Sequence, residues 1–486
     1  MNLIILIPII LPMLAGAALL FFGGEDGKRR RLYVGGVVAV NTLLVVIVAM
    51  GDFAIRTMQI SEIINIYLSV DNLSRFFMIL ATAMWLIVTF YCFEYIKPHG
   101  KENRFFAFFL MAYGAIIGAC LAGNFFTLYL FYELITLLTF PLVMHFGTKA
   151  SARAGAKYLM YSFFGAALIM VGFVFMSNYG ITTDFVAGGV LNGVAANTDA
   201  LLTVFLIAFI GFGTKAYIWP LFDWVPVSYP EAPSPAAALL SGVVSKVAVL
   251  AIIRLTFYGF GVDFVQGTWA QTVLVCIVLL TVFSGSMLAY KEKLFKRRLA
   301  YSSVSQLSYV LFGIILLSPI AFLGAMLHIV FHAIIKIALF LSAGAVIHKT
   351  GKQYVHELKG IGKAMPVTMW CFTIAAVGLV GIPPTGGFIS KWFLAMGGIS
   401  SEFGLLGIVG AGILLVSALL TGGYLISIFA NAFFPGAKFD YAGLVSAEPS
   451  KLMTVPLIVL ASLVLVLGMF PGGIIAFVER ISAAIF

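Results

Sequence analysis

The sequence predicts an all-α polytopic membrane protein with about fourteen transmembrane helices. Three observations predict it. The 486 residues are 62% hydrophobic and only 10% charged, against the roughly 25% charge of an ordinary soluble domain. Apolar runs recur from one end to the other, most of them near the ~20 residues that cross a bilayer; a membrane barrel would show short alternating segments instead. The basic residues gather in the short loops between runs, so the net charge of +10 reads as topology and no nucleic-acid partner is expected.

The runs place spans at 2–22, 32–51, 71–95, 104–122, 124–144, 157–178, 201–221, 235–258, 270–290, 299–318, 320–347, 366–397, 404–434 and 454–477. The first lacks a basic flank and a small-residue cleavage site, and reads as a span rather than a removed signal. Lys28 to Arg31, Lys97, Lys101 and Arg104, Lys149, Arg153 and Lys157, the five basic residues from Lys291 to Arg298, Lys349, Lys352, Lys359 and Lys363, and Lys438 with Lys451 then share one face, leaving Arg56 and Arg480 on the other. The positive-inside rule places the basic loops in the cytoplasm of a cell membrane (inner or plasma) and both termini on the outer side. A missed helix would invert every later loop, so the charge pattern also supports the span count. Residues 1–486 form one transmembrane domain. The stretches 52–70, 179–200 and 435–453 read as loops or at most short amphipathic helices.

Cys92, Cys120, Cys276 and Cys371 are scattered through apolar segments without metal-ligand or redox spacing, and read as small core residues. No metal or cofactor is expected. There is no dinucleotide fingerprint, Walker loop, zinc spacing or nucleophile elbow. The protein is therefore not read as an enzyme, and any redox chemistry belongs to partner subunits.

Two spans look interrupted. Span seven carries Gly211-Phe-Gly213-Thr-Lys215 and then Trp219-Pro220; span twelve carries Gly381-Ile-Pro383-Pro384-Thr-Gly386-Gly387 and then Ser390-Lys391. Such breaks free backbone groups that hydrocarbon cannot satisfy, so they must face protein or a wet cavity. Broken helices five spans apart are a mark of repeated halves in transporters.

Charged residues within spans are costly and usually serve function. Glu133 lies near the middle of span five, Lys215 at the break of span seven, Lys246 in span eight, and Lys391 in span twelve. His328, His332 and Lys336 follow each other at intervals of four in span eleven, which lines them along one helical face. Protonatable groups on one stripe inside a membrane suit proton hopping. A carboxylate that approaches or leaves Lys215 changes the cost of its charge, the physical basis of a switch with Glu133. Three carboxylates are accessory positions. Asp71 stands one turn from Arg75 and is read as its partner; Asp223 and Glu231 lie near the cytoplasmic end of span seven. Arg254, near a span end, is expected to snorkel to the interface.

At this point the residues resemble a known family. Lys215-Ala-Tyr-Ile-Trp-Pro220 through Glu231-Ala-Pro-Ser-Pro235, Lys296-Arg-Arg-Leu-Ala-Tyr301-Ser-Ser, His328-x3-His332 with Lys336, and Gly381-Ile-Pro383-Pro384 through Lys391 are similar to motifs of the antiporter-like subunits of respiratory complex I. The family includes Mrp multisubunit Na+/H+ antiporters and membrane-bound hydrogenases, and the resemblance covers roughly residues 65–435. It implies fourteen helices with two inverted five-helix repeats, 104–258 and 270–434. It also implies a Glu133–Lys215 switch pair, a central axis from Lys246 to His328, His332 and Lys336, and Lys391 as the terminal group. Lysine rather than glutamate at Lys391, and the short segment after span fourteen, look most like the D component of Mrp antiporters or its counterpart in an energy-converting hydrogenase or related oxidoreductase. The resemblance implies a proton-translocating, or Na+/H+ antiporting, subunit that works beside other membrane subunits. The alternatives are a stand-alone secondary transporter and a passive membrane anchor of a redox complex.

Overall fold

A computed structural model describes residues 2–24, 26–59, 61, 64–191, 198–436, 439–440 and 446–486. Lys438 and parts of the 52–70, 179–200 and 435–453 stretches lie outside the described residues. The chain is a helical bundle, and among the described residues eleven helices are long and apolar enough to cross a membrane.

The N-terminal part comprises α1 (Ile7–Phe22), α2 (Gly27–Ala49), α3 (Asn72–Tyr95), α4 (Glu102–Cys120), α5 (Phe125–Val143), α6 (Lys149–Tyr179), α7 (Thr198–Gly213) and the short α8 (Val225–Glu231). The long helix α9 (Ser234–Phe260) follows. The C-terminal part comprises α10 (Trp269–Lys291), α11 (Phe295–Ile315), α12 (Pro319–Thr350), α13 (Pro366–Val380), α14 (Gly386–Ile399), α15 (Leu405–Phe433), α16 (Lys451–Met469) and α17 (Gly472–Ala483).

Local chemistry fixes many helix starts. Asp26, Asp71, Asn124, Thr148, Thr268 and Ser318 each precede a helix and accept a hydrogen bond from a backbone N–H of its first turn, the usual N-cap arrangement. Other helices end where the sequence withdraws support. α7 stops at Gly213 and the chain runs as turns through Pro220. α13 stops at Val380, because Gly381 takes a left-handed conformation (φ 89°) and two prolines follow.

Two helices are buried on all sides. Every residue of α12 from Ala321 to Val346 is buried, and so is the membrane-spanning window of α9. A helix that is apolar all round belongs in the middle of a bundle. Close approaches use small residues, as expected where lipid competes with any apolar contact. A Cβ on Gly114 of α4 would lie 2.4 Å from the Ile9 carbonyl of α1, and one on Gly324 of α12 would lie 2.6 Å from the Leu394 nitrogen of α14.

Several sequence expectations need correction. The 52–70 stretch, read as a loop or short amphipathic helix, holds two strands instead, β1 (Ala54–Gln59) antiparallel to β2 (Asn65–Ser69). Its period-two side chains carry no strong hydrophobic signal, and the pairing is completed from elsewhere: Ser69 N–H donates to the Leu121 carbonyl and Gly123 N–H to the Tyr67 carbonyl. The last apolar run is not one helix, because α16 ends at Met469 and α17 begins after Pro471, a residue that cannot donate into a preceding turn. Cys276 is exposed on α10 rather than in the core, unlike the other three cysteines.

Candidate functional site

The membrane charges singled out above fall into two polar groupings. The first is the break after α7. Lys215 is 3% exposed, its Nζ lies 3.6 Å from Glu133 Oε1 of α5, and it donates to the Tyr132 carbonyl at 3.1 Å. The ammonium also sits 3.5 Å from the centroid of the Tyr132 ring, a favourable cation–π geometry. Glu133 is only half-buried, and its Oε1 has no hydrogen-bond partner among the described residues. It was read as a buried charge; it faces outward enough to keep part of its surface open.

The second grouping is a row of polar side chains centred on α12. Lys246 Nζ lies 2.7 Å from His332 Nδ1. The His332 and His328 rings stack with centroids 5.8 Å apart. His328 Nδ1 is 2.9 Å from Ser390 Oγ on α14, the residue before Lys391. His328 also stacks on Tyr309, at 5.6 Å, and Lys391 Nζ lies 5.1 Å from the centroid of that same tyrosine ring. Lys336 branches from this row toward α11, donating to the Leu299 carbonyl at 3.0 Å and to Ser302 Oγ. The Nε2 atoms of His328 and His332 are buried and have no partner among the described residues. Buried polar atoms are usually paired, so these two are exceptions on one face of one helix.

Backbone irregularity supplies the acceptors. α9 contains a π-helical turn at Leu240–Val244, across which Ser245 N–H reaches the Leu240 carbonyl. The Ser241 carbonyl then accepts from two side chains, Lys246 Nζ at 2.6 Å and Ser245 Oγ at 2.8 Å. π-turns often sit at functional sites, and this one was not foreseen; the Ser241-Gly242 pair in an otherwise apolar run was the available signal. Lys391 uses the other device. With α13 broken at Gly381, the Leu379 and Val380 carbonyls have no helical partner, and Lys391 Nζ donates to both, at 2.6 and 3.0 Å.

The structure does not bring every candidate to this path. Asp71 pairs with Arg254, not Arg75: the guanidinium nitrogens stand 2.6 and 2.8 Å from its two oxygens. Arg254 is therefore 2% exposed and does not snorkel, since the carboxylate within reach removes the reason to seek water. Arg75 pairs with Asp52 instead. Asp223 is exposed and pairs with Lys157. Glu231 borders a separate cleft with Lys296. Gly213 and Pro220 bracket the turns holding Lys215, and Pro383 and Pro384 fill the gap between α13 and α14. Two cations counted only as loop charges are buried: Lys296 donates to the Pro230 and Ala232 carbonyls, and Arg298 to the Tyr424 carbonyl. Ser241, Ser302, Tyr309 and Ser390 also contact these groups, which the sequence did not single out because a hydroxyl in an apolar helix gives little signal by itself. No group of three or more His, Cys, Asp or Glu side chains able to hold a metal occurs among the described residues.

A bundle with lysines and histidines connected through its centre, beside broken helices, defines an ion-handling membrane protein of many spans. Residues 122–421 match the family described as NADH:quinone oxidoreductase/Mrp antiporter, TM, and the chain belongs to that family. It is 32% identical over 428 residues to the N subunit of NADH-quinone oxidoreductase of Desulforudis audaxviator, covering 85% of this chain and 83% of that one. It is 30% identical over 404 residues to the D subunit of the Na(+)/H(+) antiporter of Alkalihalophilus pseudofirmus, covering 83% and 80%. Its fold is similar to a chain in the structure of the Mrp complex from Dietzia sp. DQ12-45-1b, with a TM-score of 0.85 at 20% identity over 100% of this chain and 98% of that one.

Proposed function

We propose that this chain is a proton-translocating subunit of a multisubunit membrane complex, and that protons move along Lys246, His332, His328, Ser390 and Lys391 under control of the Glu133–Lys215 pair. The observation that carries the reading is the row of titratable groups at the centre of the bundle: Lys246 lies 2.7 Å from His332, the His332 and His328 rings stack 5.8 Å apart, and His328 lies 2.9 Å from Ser390, the residue before Lys391. Aliphatic side chains would pack that space better; titratable groups there cost free energy, so their retention argues for function. In an Mrp-like setting the same path serves Na+/H+ antiport, and in an oxidoreductase- or hydrogenase-like setting partner subunits hold the redox centres.

The same reading takes the chain as fourteen spans. The eleven long helices, α7, α11 and the α13–α14 pair supply fourteen crossing segments. It takes 104–258 and 270–434 as inverted repeats, supported by a broken helix with a lysine at the fourth place of each set. The basic loops then face the cytoplasm of the cell membrane and both termini lie outside.

The test is ion translocation by the purified complex in sealed vesicles, with Lys215→Ala, Lys246→Ala and Glu133→Gln. The expected result is intact assembly with translocation abolished. Undiminished translocation in assembled Lys246→Ala complex would place the ion route in a partner subunit.

A further inference from the structure

Lys296 and Lys349 count among the basic loop residues of the sequence, yet the fold gathers both with His99 and His348 around one cleft. Its volume is about 520 Å³, and Glu231, Tyr95 and Gln353 complete its polar lining. The segments that build it carry or adjoin the basic loops. The His99 and His348 rings are 6.1 Å apart, and both pack on Tyr95, at 5.4 and 5.2 Å. His99 is exposed, His348 and Glu231 are half-buried, and Lys296 is buried. Protonatable groups thus run from solvent to interior across a single opening.

The floor of the cleft leads to the path. Lys296 starts α11, held by the Pro230 and Ala232 carbonyls at 2.8 and 2.5 Å. Six residues along α11, about 9 Å at the helical rise, Ser302 accepts from Lys336. The next residue, Ser303, is 2.8 Å from Ser241, whose carbonyl accepts from Lys246. One helix therefore carries polar groups from the cleft to both lysines that flank His332. By contrast, the cavity beside Lys246 on the α3 side is about 10 Å³, near the lower limit for one water.

The geometry points to this cleft as the proton-uptake mouth of the chain, with His99 and His348 as collecting groups and Lys296 and Ser302 passing protons inward to Lys336, one turn from His332, so that uptake joins the path at its Lys246–His332 end rather than at Lys215. The inference rests on the proton-translocating reading above. In each step a protonated imidazole gives its proton to the Glu231 carboxylate or to a neutral Lys296 amine and returns to the neutral ring. Water crosses the stretch of about 9 Å to Ser302, and Lys336 receives the proton as an ammonium.

The experiment uses the assembled complex in vesicles with the basic-loop face outward. The variants are His99→Ala/His348→Ala, Ser302→Ala and, as a control, Lys215→Ala. Translocation by the double-histidine variant should fall about 100-fold or more, the scale on which a positioned proton-transfer group acts. An impermeant sulfonate buffer titrating near neutrality, added outside at high concentration, should restore much of the rate, because mobile buffer replaces a lost collector but not a lost fold. Ser302→Ala should slow translocation without responding to buffer. An unchanged rate in the double-histidine variant overturns the inference, and so does a loss that buffer does not relieve. Persistent translocation in Lys215→Ala would sink the functional reading itself, whatever the histidine variants do.

Discussion

Shortening Glu133 by one methylene probes the switch more sharply than removing it. Lys215 Nζ and Glu133 Oε1 are 3.6 Å apart. At an effective dielectric of about 20, unit charges at that distance attract by about 5 kcal/mol. Glu133→Asp withdraws the carboxylate by about one C–C bond, ~1.5 Å, and the same arithmetic at ~5 Å leaves about 3 kcal/mol. The difference, about 1–1.5 kcal/mol, is roughly a tenfold change in the balance between Lys215 held by Glu133 and Lys215 released toward the interior. Glu133→Gln removes the whole attraction, equivalent to roughly a thousandfold or more. Water at the open side of Glu133 trims both figures and leaves their order intact. The assay is initial proton translocation by reconstituted complex, normalised to the amount assembled. The expected ranking is wild type, then Asp about tenfold lower, then Gln near background. Equal rates for Asp and Gln, or a Gln variant matching wild type, would refute the claim that this charge pair gates translocation.

Three further outcomes follow from the geometry. Asp71→Asn leaves Arg254 charged, buried and unpaired, and should cost about 3–5 kcal/mol, whereas Asp71→Leu combined with Arg254→Met should recover most of it; thermal unfolding of the detergent-solubilised complex reads both, and an Asp71→Asn loss no larger than at a surface site would count against a structural pair. Gly387→Ala should disrupt the α13–α14 break, because its Cβ would lie 1.9 Å from the Gly378 carbonyl; overpacking of this kind costs about 1–3 kcal/mol or more, and wild-type assembly and melting temperature would contradict the contact. His145, in the turn after α5, has its imidazole pushed down from 6.5 to about 4 by burial and then by Arg104 and His99. Its folded form stays neutral while the unfolded ring gains a proton, so its contribution is complete above 6.5 and falls as pH drops toward 4, by about 3 kcal/mol in all. His145→Phe should flatten stability against pH across that window, and an unaltered slope would exclude the imidazole as its source.

The site was legible where its residues are costly. Glu133, Lys215, Lys246 and Lys391 stand out because a charge in an apolar run has no cheap explanation, and the interval-of-four spacing of His328, His332 and Lys336 already sets them on one face. It was illegible where partners come from other helices. Arg254 lies 183 residues from Asp71, while Arg75 is close in sequence and was the natural but incorrect partner. Lys296 and Arg298 looked like loop charges because charge beside an apolar run signals topology equally well whether the side chain turns outward or in.

By itself the sequence determined the membrane class, the positions of most apolar helices, the family and the residue types of the candidate site, since each of these follows from local composition and spacing against a hydrocarbon solvent. Tertiary structure alone decided which groups meet: Lys246 with His332, His328 with Ser390, Asp71 with Arg254, and the histidines around the cleft. Helix periodicity tells which face a residue occupies, but packing chooses the neighbour that faces it. The carbonyl acceptors that hold Lys246 and Lys391 arise only once the helices are assembled closely enough to keep their irregular turns in place.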